Sequence, residues 1–375
     1  MLLLAACAAL LAAGLSTGVP VYYALSAAAG GLCLACLLAD IWMICSLRIK
    51  TQAGAVRTRR GESVEMQIKA RHSCPLPVGT VEISLLTGSE PAVMEIGGAP
   101  FKWQTHAVDL PCPHRGVYMA GASGVAVSDV FALFRLSKKL GDCTFTIEVA
   151  PRLRTVPAME LGAGDTGAEA PSRSTEDADA PSGIREWRDG DSLKKIHWKL
   201  SMRKREPIVR TYDESAKPDF LILMDLSPIG ALRSQELAIE DAACEAAAAA
   251  AMAHLAEGYP VRMPLSCSRP VECMGRAPED LPRFVDALTT TPFDCRYPFE
   301  KLLAVEMRRM QRTGGAVLIT SRLTVRTADI AMQMRRSGLH VRLNWITESR
   351  GGDANEIVAR LALSGVEVTR INPNS

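Results

Sequence analysis

Apolar residues open the chain in two uncharged runs, residues 1–19 and Val21 to Ala39. Each is about as long as the roughly 20 residues that span a bilayer as a helix. Gly18, Val19 and Pro20 predict a tight turn between them, so residues 1–46 read as a transmembrane helical hairpin. A secretory signal peptide fits less well, because no basic segment precedes the first run and a second run follows at once. Leu4-Ala5-Ala6-Cys7 has the form of a lipoprotein cleavage box, but the six residues before Cys7 are too few for the apolar part of such a signal.

Beyond the second run the period shortens. Over 47–155, stretches such as "SVEMQIKA", "TVEISLL", "GVYMAGASGVAV" and "CTFTIEVA" are β-prone, several alternate apolar with polar residues, and Gly, Pro and Ser clusters separate them. Strands with one buried face give this pattern, and it predicts a small β-sandwich. Residues 156–183 are acidic, small and without aromatics, too poor in apolar surface to order themselves, and read as an acidic disordered linker. A basic, aromatic segment occupies 184–217. From 218 to 375 "FLILMDLS" is a continuous run of buried-strand type, followed by an Ala-rich helical stretch from about Ser234 to Glu257. Then come "PVRMPLS", helices around 278–288 and 298–312, and "AVLITS", "TADIAMQMRRSG", "HVRLNWIT", "NEIVARLALSG" and "VEVTRI". This alternation predicts an α/β fold class, a doubly wound and mainly parallel sheet with helices on both faces.

Charge adds a side to this layout. With 43 basic and 41 acidic residues the net charge is +2, so no whole-chain field favours nucleic acid. Locally, Arg48, Lys50, Arg57, Arg59 and Arg60 follow the second apolar run with no acidic residue before Glu62. The positive-inside bias places that flank, and the soluble bulk after it, in the cytoplasm. Asp40, near the end of the run, is expected to reach the interface. Of the 11 cysteines, Cys7, Cys33, Cys36 and Cys45 lie in the apolar N-terminus and seven are scattered from Cys74 to Cys295. The one C-x-x-C pair, Cys33 and Cys36, sits in the apolar run, so free or buried thiols in a reducing compartment are expected, not a disulfide framework or a zinc site.

Candidate chemistry concentrates in two places. In an open α/β sheet ligands bind at the carboxyl ends of the strands, and the first such end reads Asp225-Leu226-Ser227-Pro228-Ile229. Asp225 and Ser227 can turn hard oxygens into one crevice for Mg or Mn, as D-x-S-x-S does in a metal-ion-dependent adhesion site. Ile229 replaces the third ligand, so the site is degenerate, with Ser321 at a later strand end and Thr289, Thr290 or Thr291 as other hydroxyl sources; the alternative is that Asp225 and Ser227 bond loop backbone. The second place is "REWRDGDSLKKIHWKLSMRKREPIV", residues 185–209. Asp191 can cap a helix with Leu193, Ile196 and Leu200 on one face and Trp198 flanking it, whereas a strand would align Ile196, Trp198, Leu200 and Met202. Either way the apolar members are expected to pack on the core. Arg185, Glu186, Asp189, Asp191 and Arg203 can form a structural network, while Lys194, Lys195, Arg203, Lys204 and Arg205 can meet an acidic protein surface, phosphate or nucleic acid. His197 beside two aspartates suggests acid–base chemistry and a hydrolase, although no nucleophile accompanies it. No phosphate loop and no dinucleotide fingerprint is present.

The same segment resembles the bacterial family called domain of unknown function 58, whose signature runs approximately R-E-Y-x-x-G-D-x-x-R-x-I-x-W-x-x-S-A-R. It falls here on Arg185, Glu186, Trp187, Gly190, Asp191, Lys194, Ile196, Trp198, Ser201, Met202 and Arg203. Lys194 stands for an Arg and loses its two-pronged donor; Trp187 replaces another aromatic and Met202 an alanine. "HRGVYM", "SDVFALF", "VAPRL" and "LILMDLS" extend the likeness. The resemblance implies an N-terminal transmembrane pair, a β-rich region and a von Willebrand factor A-like α/β domain, in association with MoxR-type AAA+ ATPases and other membrane proteins. The reading that follows is a non-enzymatic interaction module of the bacterial cytoplasmic membrane, with no nucleic acid and no cofactor, in assembly or regulation of an envelope complex. A metal-dependent adhesion domain and a hydrolase using His197 are the alternatives.

Overall fold

Gly18, in the left-handed region at φ 70°, closes helix α1 (Leu2–Thr17), and Pro20 stands in the first turn of α2 (Pro20–Ser46), where its missing N–H costs nothing. The computed structural model describes residues 2–75, 79–87, 91–96, 100–131, 133–141, 143–159, 183–187, 198–204, 206–211, 218–310, 313–348 and 354–374. The chain divides into two compact units, Met1–Arg152 and Leu153–Ser375.

In the first unit α2 is long and apolar enough to cross a membrane, at 27 residues or about 40 Å of helix. The apolar helix before it is shorter. Leu25, Leu34, Leu38 and Trp42 point outward on α2, and the Ser26 hydroxyl donates to the Cys7 carbonyl at 3.2 Å, fastening α1 to α2. Asp40 departs from expectation. It is fully buried, and neither carboxylate oxygen has a hydrogen-bond partner, because the last turns of α2 pack on strands of this unit and carry Asp40 inward with them.

Those strands are β1 (Arg48–Ala53), β2 (Arg57–Arg59), β3 (Ser63–Arg71), β4 (Val81–Thr87), β5 (Ala92–Ile96), β6 (Gln104–Pro111), β7 (Gly116–Ser128), β8 (Arg135–Lys139) and β9 (Thr144–Ala150). One sheet runs β1-β3-β6, the other β2-β9-β7-β4-β5 with β8 beside β7. Strict alternation along β3 buries Val64, Met66, Ile68 and Ala70, and they share one core with Ile83, Leu85, Ile147 and Val149 of the other sheet. Met43 of α2 and Ile49 of β1 join that core, so the apolar helix is seated in the strands and not merely tethered to them.

The second unit opens with an extended strap. Residues 153–159 have no regular structure, yet Met159 is buried, with its N–H donating to Nε2 of His254 at 3.2 Å. Of the expected linker, residues 156–159 are described, with Met159 packed in the core of this unit; residues 160–182 lie outside the described residues. A small antiparallel pair follows, β10 (Gly183–Glu186) with β11 (Ile208–Thr211), and between them stands the short helix α3 (Trp198–Lys204).

The main sheet holds β12 (Asp219–Met224), β13 (Val261–Leu265), β14 (Val271–Gly275), β15 (Thr313–Thr320), β16 (His340–Ile346) and β17 (Glu367–Ile371). Its order is β14-β13-β12-β15-β16-β17, parallel throughout except for β14, which runs antiparallel at the edge and was not anticipated from the sequence. Helices α4 (Arg233–Ala256), α5 (Leu281–Thr290), α6 (Phe299–Met307), α7 (Val325–Arg336) and α8 (Ala354–Leu363) alternate with the strands. On one face Phe220, Ile222 and Met224 pack on α4 and α5; on the other Leu221, Leu223 and Leu343 pack on Phe299, Leu303 and Ala331. Gly315 is required where it is, because a Cβ there would stand 2.5 Å from the Phe220 ring. All eleven cysteines are free thiols.

Candidate functional site

The register of the two central strands sets Met224 against Ile319, so the next residues, Asp225 and Thr320, meet just past the carboxyl ends. Both are buried, Asp225 at 9% and Thr320 at 1% exposure. Asp225 Oδ1 accepts from the Ser227 hydroxyl at 2.7 Å and the Ser227 N–H at 3.1 Å, while Oδ2 lies 3.0 Å from the Thr320 hydroxyl. The Arg322 guanidinium stands 3.8 Å from Oδ1, and its backbone N–H donates to Thr320 Oγ1 at 3.0 Å. Asp225 and Ser227 thus stand side by side at this strand end. Their partners are each other, Thr320 and Arg322.

This donor set does not fit a divalent cation. Mg and Ca take six or more oxygen ligands, whereas among the described residues the one carboxylate here has both oxygens engaged and a cation beside it. The hydroxyls of Thr289 and Thr291 donate to the Val285 and Ala287 carbonyls at the end of their own helix at 2.8 and 2.6 Å. Thr320 and Arg322 were missed in the sequence, where Ser321 drew attention as the polar residue at that strand end. The signal lay one residue earlier, in the register.

The second candidate region is partly described. Arg185 and Glu186 lie in β10, paired with Val209 and Ile208 of β11. Trp187 continues the pairing, its N–H donating to the Pro207 carbonyl at 2.9 Å, and its ring N–H is buried without a partner. Gly190, Asp191, Lys194, Ile196 and His197 lie outside the described residues, and with them the proposed cap and the acid–base reading. Ser201 is buried; its hydroxyl accepts from the Ile208 N–H at 2.9 Å and ties α3 to β11. Leu200 is half-buried beside it. The expectation that the apolar members all pack inward fails at Trp198 and Met202, 63% and 80% exposed. Four residues apart, they share one helix face, and the face opposite is the one Leu200 and Ser201 turn inward. Arg203 is exposed next to them.

Residues 183–342 match the family model described as Protein of unknown function DUF58. The match begins at β10, includes α3 and ends within β16, under half of the chain. No curated protein matches. Among solved structures, the CARDB domain of the PF1109 protein from Pyrococcus furiosus is 13% identical, covering 28% of this chain and 91% of that one at a TM-score of 0.19. Cwp6 from Clostridium difficile is 8% identical, over 87% of this chain and 53% of that one, at 0.21. A Paenibacillus cycloisomaltooligosaccharide glucanotransferase is 9% identical, over 86% and 52%, at 0.20. Scores at this level carry no argument about either unit.

Proposed function

We propose that this protein is a membrane-anchored, non-enzymatic interaction module whose second unit, a von Willebrand factor A-like domain, receives a cytoplasmic MoxR-type AAA+ ATPase in the assembly or regulation of an envelope complex. The observation that carries the reading is the exposed pair Trp198 and Met202 on one face of α3, inside the segment that matches the DUF58 family model. A large aromatic and a flexible thioether left in water one turn apart suit a docking surface, since Trp is the residue most enriched among binding hot spots. The exposed Arg203 alongside favours an acidic partner surface.

Three further features support the reading. The strand order, with a single antiparallel edge at β14, is that expected of a von Willebrand factor A-like sheet. Helix α2 supports an anchor, with α1 as the second limb of a transmembrane hairpin. The basic residues of β1 and β2 support a cytoplasmic orientation.

Crosslinking of the full chain in its native membranes, with and without nucleotide, tests the partner. The wild type is expected to recover an AAA+ ATPase, and the double variant Trp198→Ser, Met202→Ser to lose it; recovery of none by the wild type in either condition overturns the proposal. Orientation is tested with a membrane-impermeant maleimide. Labelling of the half-buried Cys267 and Cys295 only after lysis is expected, and labelling in intact cells removes a cytoplasmic partner.

A further inference from the structure

On the α4 side of the main sheet, the strap at 154–157 lies against β16 and β17 beside α4. Between strap, helix and strands a cleft of about 330 Å³ remains, within the ~300–1,000 Å³ range of small-molecule sites. Its origin is legible in the residues. The α4 face toward β16 and β17 is Ala242, Ala246, Ala249 and Ala250, which hold the helix geometry but leave the volume that larger side chains would fill.

The polar groups of the wall are held in pairs that close the cleft without giving it a net charge. Arg154 of the strap meets the buried Glu245 at 3.4 Å. Arg342 meets Glu367 at 2.8 Å and donates to the Pro157 carbonyl at 3.0 Å, pinning the strap to β16. Asn344 differs from these. It lines the cleft at 8% exposure, and no group among the described residues bonds to its carboxamide. An amide held in the wall with its acceptor and donors open to the cleft suits a ligand that presents the complementary pair. Its partner across the β16–β17 register is Thr369, which lines the cleft with Asn372, and the rest of the nearby lining is aliphatic, from Val317, Val156 and Ile371 as well as the alanines.

We propose that this cleft is a binding site for a small neutral ligand with a compact apolar body and an adjacent donor and acceptor, such as a carboxamide, lactam or ring imide, which pairs with Asn344 and lays its apolar part on the alanines of α4. The site lies on the sheet face, apart from Asp225 and from Trp198, so it stands independently of the partner proposed above.

The test is thermal unfolding of the full chain in detergent micelles, with cyclohexanecarboxamide as the probe and methylcyclohexane as its counterpart without the amide. A ligand that binds only the folded state raises the midpoint in a saturable way. The carboxamide is expected to do so and methylcyclohexane to do so less. Ala246→Phe, which fills the cleft, or Thr369→Trp at its exposed rim, is expected to abolish the shift, each variant being compared with its own ligand-free midpoint in the same micelles. Asn344→Leu is expected to weaken the apparent affinity for the carboxamide by roughly five- to tenfold, the worth of about one net hydrogen bond, and to erase its advantage over the hydrocarbon. No shift in the wild type up to the solubility limit overturns the proposal. So does an equal shift in both blocked variants.

Discussion

The N–H of Met159 donates to Nε2 of His254 at 3.2 Å, while the opposite ring nitrogen, Nδ1, lies 2.7 Å from the Ala250 carbonyl. Nδ1 must carry the proton and Nε2 the lone pair, so this contact exists only with a neutral imidazole. Burial beneath the strap and against the Phe220 ring, 3.7 Å away, pushes the His254 pKa below its ordinary 6.5, and the nearby Arg342 pushes it the same way.

A pH dependence follows with a definite sign. Below 6.5 the unfolded chain takes up a proton at His254 that the folded chain resists, so stability is fully present above that value and lost as pH falls toward the lower folded value. Denaturant unfolding between pH 5 and 8 is expected to show this slope, and His254→Phe to lack it while costing about 1–3 kcal/mol for the stranded Met159 N–H. An unchanged slope in the variant would assign the pH dependence elsewhere.

At the strand end the same reasoning applies to Asp225. Thr320→Val removes the hydroxyl at Oδ2 but keeps the shape, leaving a buried carboxylate oxygen without its donor, and is expected to cost about 1–3 kcal/mol. Because the Arg322 guanidinium already stands beside the carboxylate, addition of Mg or Mn, or its removal with EDTA, is expected to leave the unfolding midpoint unmoved. A saturable rise with Mg would mean that Arg322 swings out and the adhesion-type site forms.

How far the chain announced these features varies with the range of the interaction. Period-two alternation in "SVEMQIKA" and the unbroken run "FLILMDLS" named β3 and β12 because one strand suffices to show which faces are buried. The edge strand β14 escaped, because "VECMG" is half exposed, and only its pairing with β13 identifies it. Asp225 and Ser227 were visible as a local motif, whereas Thr320 sits 95 residues away and arrives through register. Asn344 and the alanines of α4 gave no signal at all: a cleft is a property of what three elements leave empty, and no single segment records it. Trp198 misled for a related reason, since periodicity defines a helix face but not whether anything covers it.

A long-range ion pair secures the antiparallel edge. Arg262 of β13 reaches Glu272 of β14 at 2.7 Å and also bonds the buried Glu306 of α6. Arg262→Met is expected to destabilise by about 3–5 kcal/mol, the cost of a buried charge that loses its buried partner, because among the described residues the cation left on Glu306 is Arg309 at 3.3 Å, itself 64% exposed. Adding Glu306→Leu should recover most of that loss, because an apolar pair needs no solvation. If the double variant is no better than the single, the edge depends on Arg262 for packing and not for charge.

Asp40 offers the opposite case, a charge without compensation. Its two carboxylate oxygens are buried and unpartnered, and the acidic group facing it is Asp129, itself buried, with one oxygen accepting from the Leu133 N–H at 2.7 Å and the other unpartnered. Two carboxyl groups so placed oppose the seating of α2 on its strands. Asp40→Asn, which keeps the shape and removes one charge, is therefore expected to raise the resistance of the full chain to unfolding by sodium dodecyl sulfate in mixed micelles, by on the order of 1 kcal/mol, and Asp129→Asn to raise it in the same direction. The two gains should not add, because each variant relieves the same repulsion. A loss of stability in Asp40→Asn would show instead that the ionised carboxylate has a partner in the membrane-embedded protein, and would make the end of α2 a functional position.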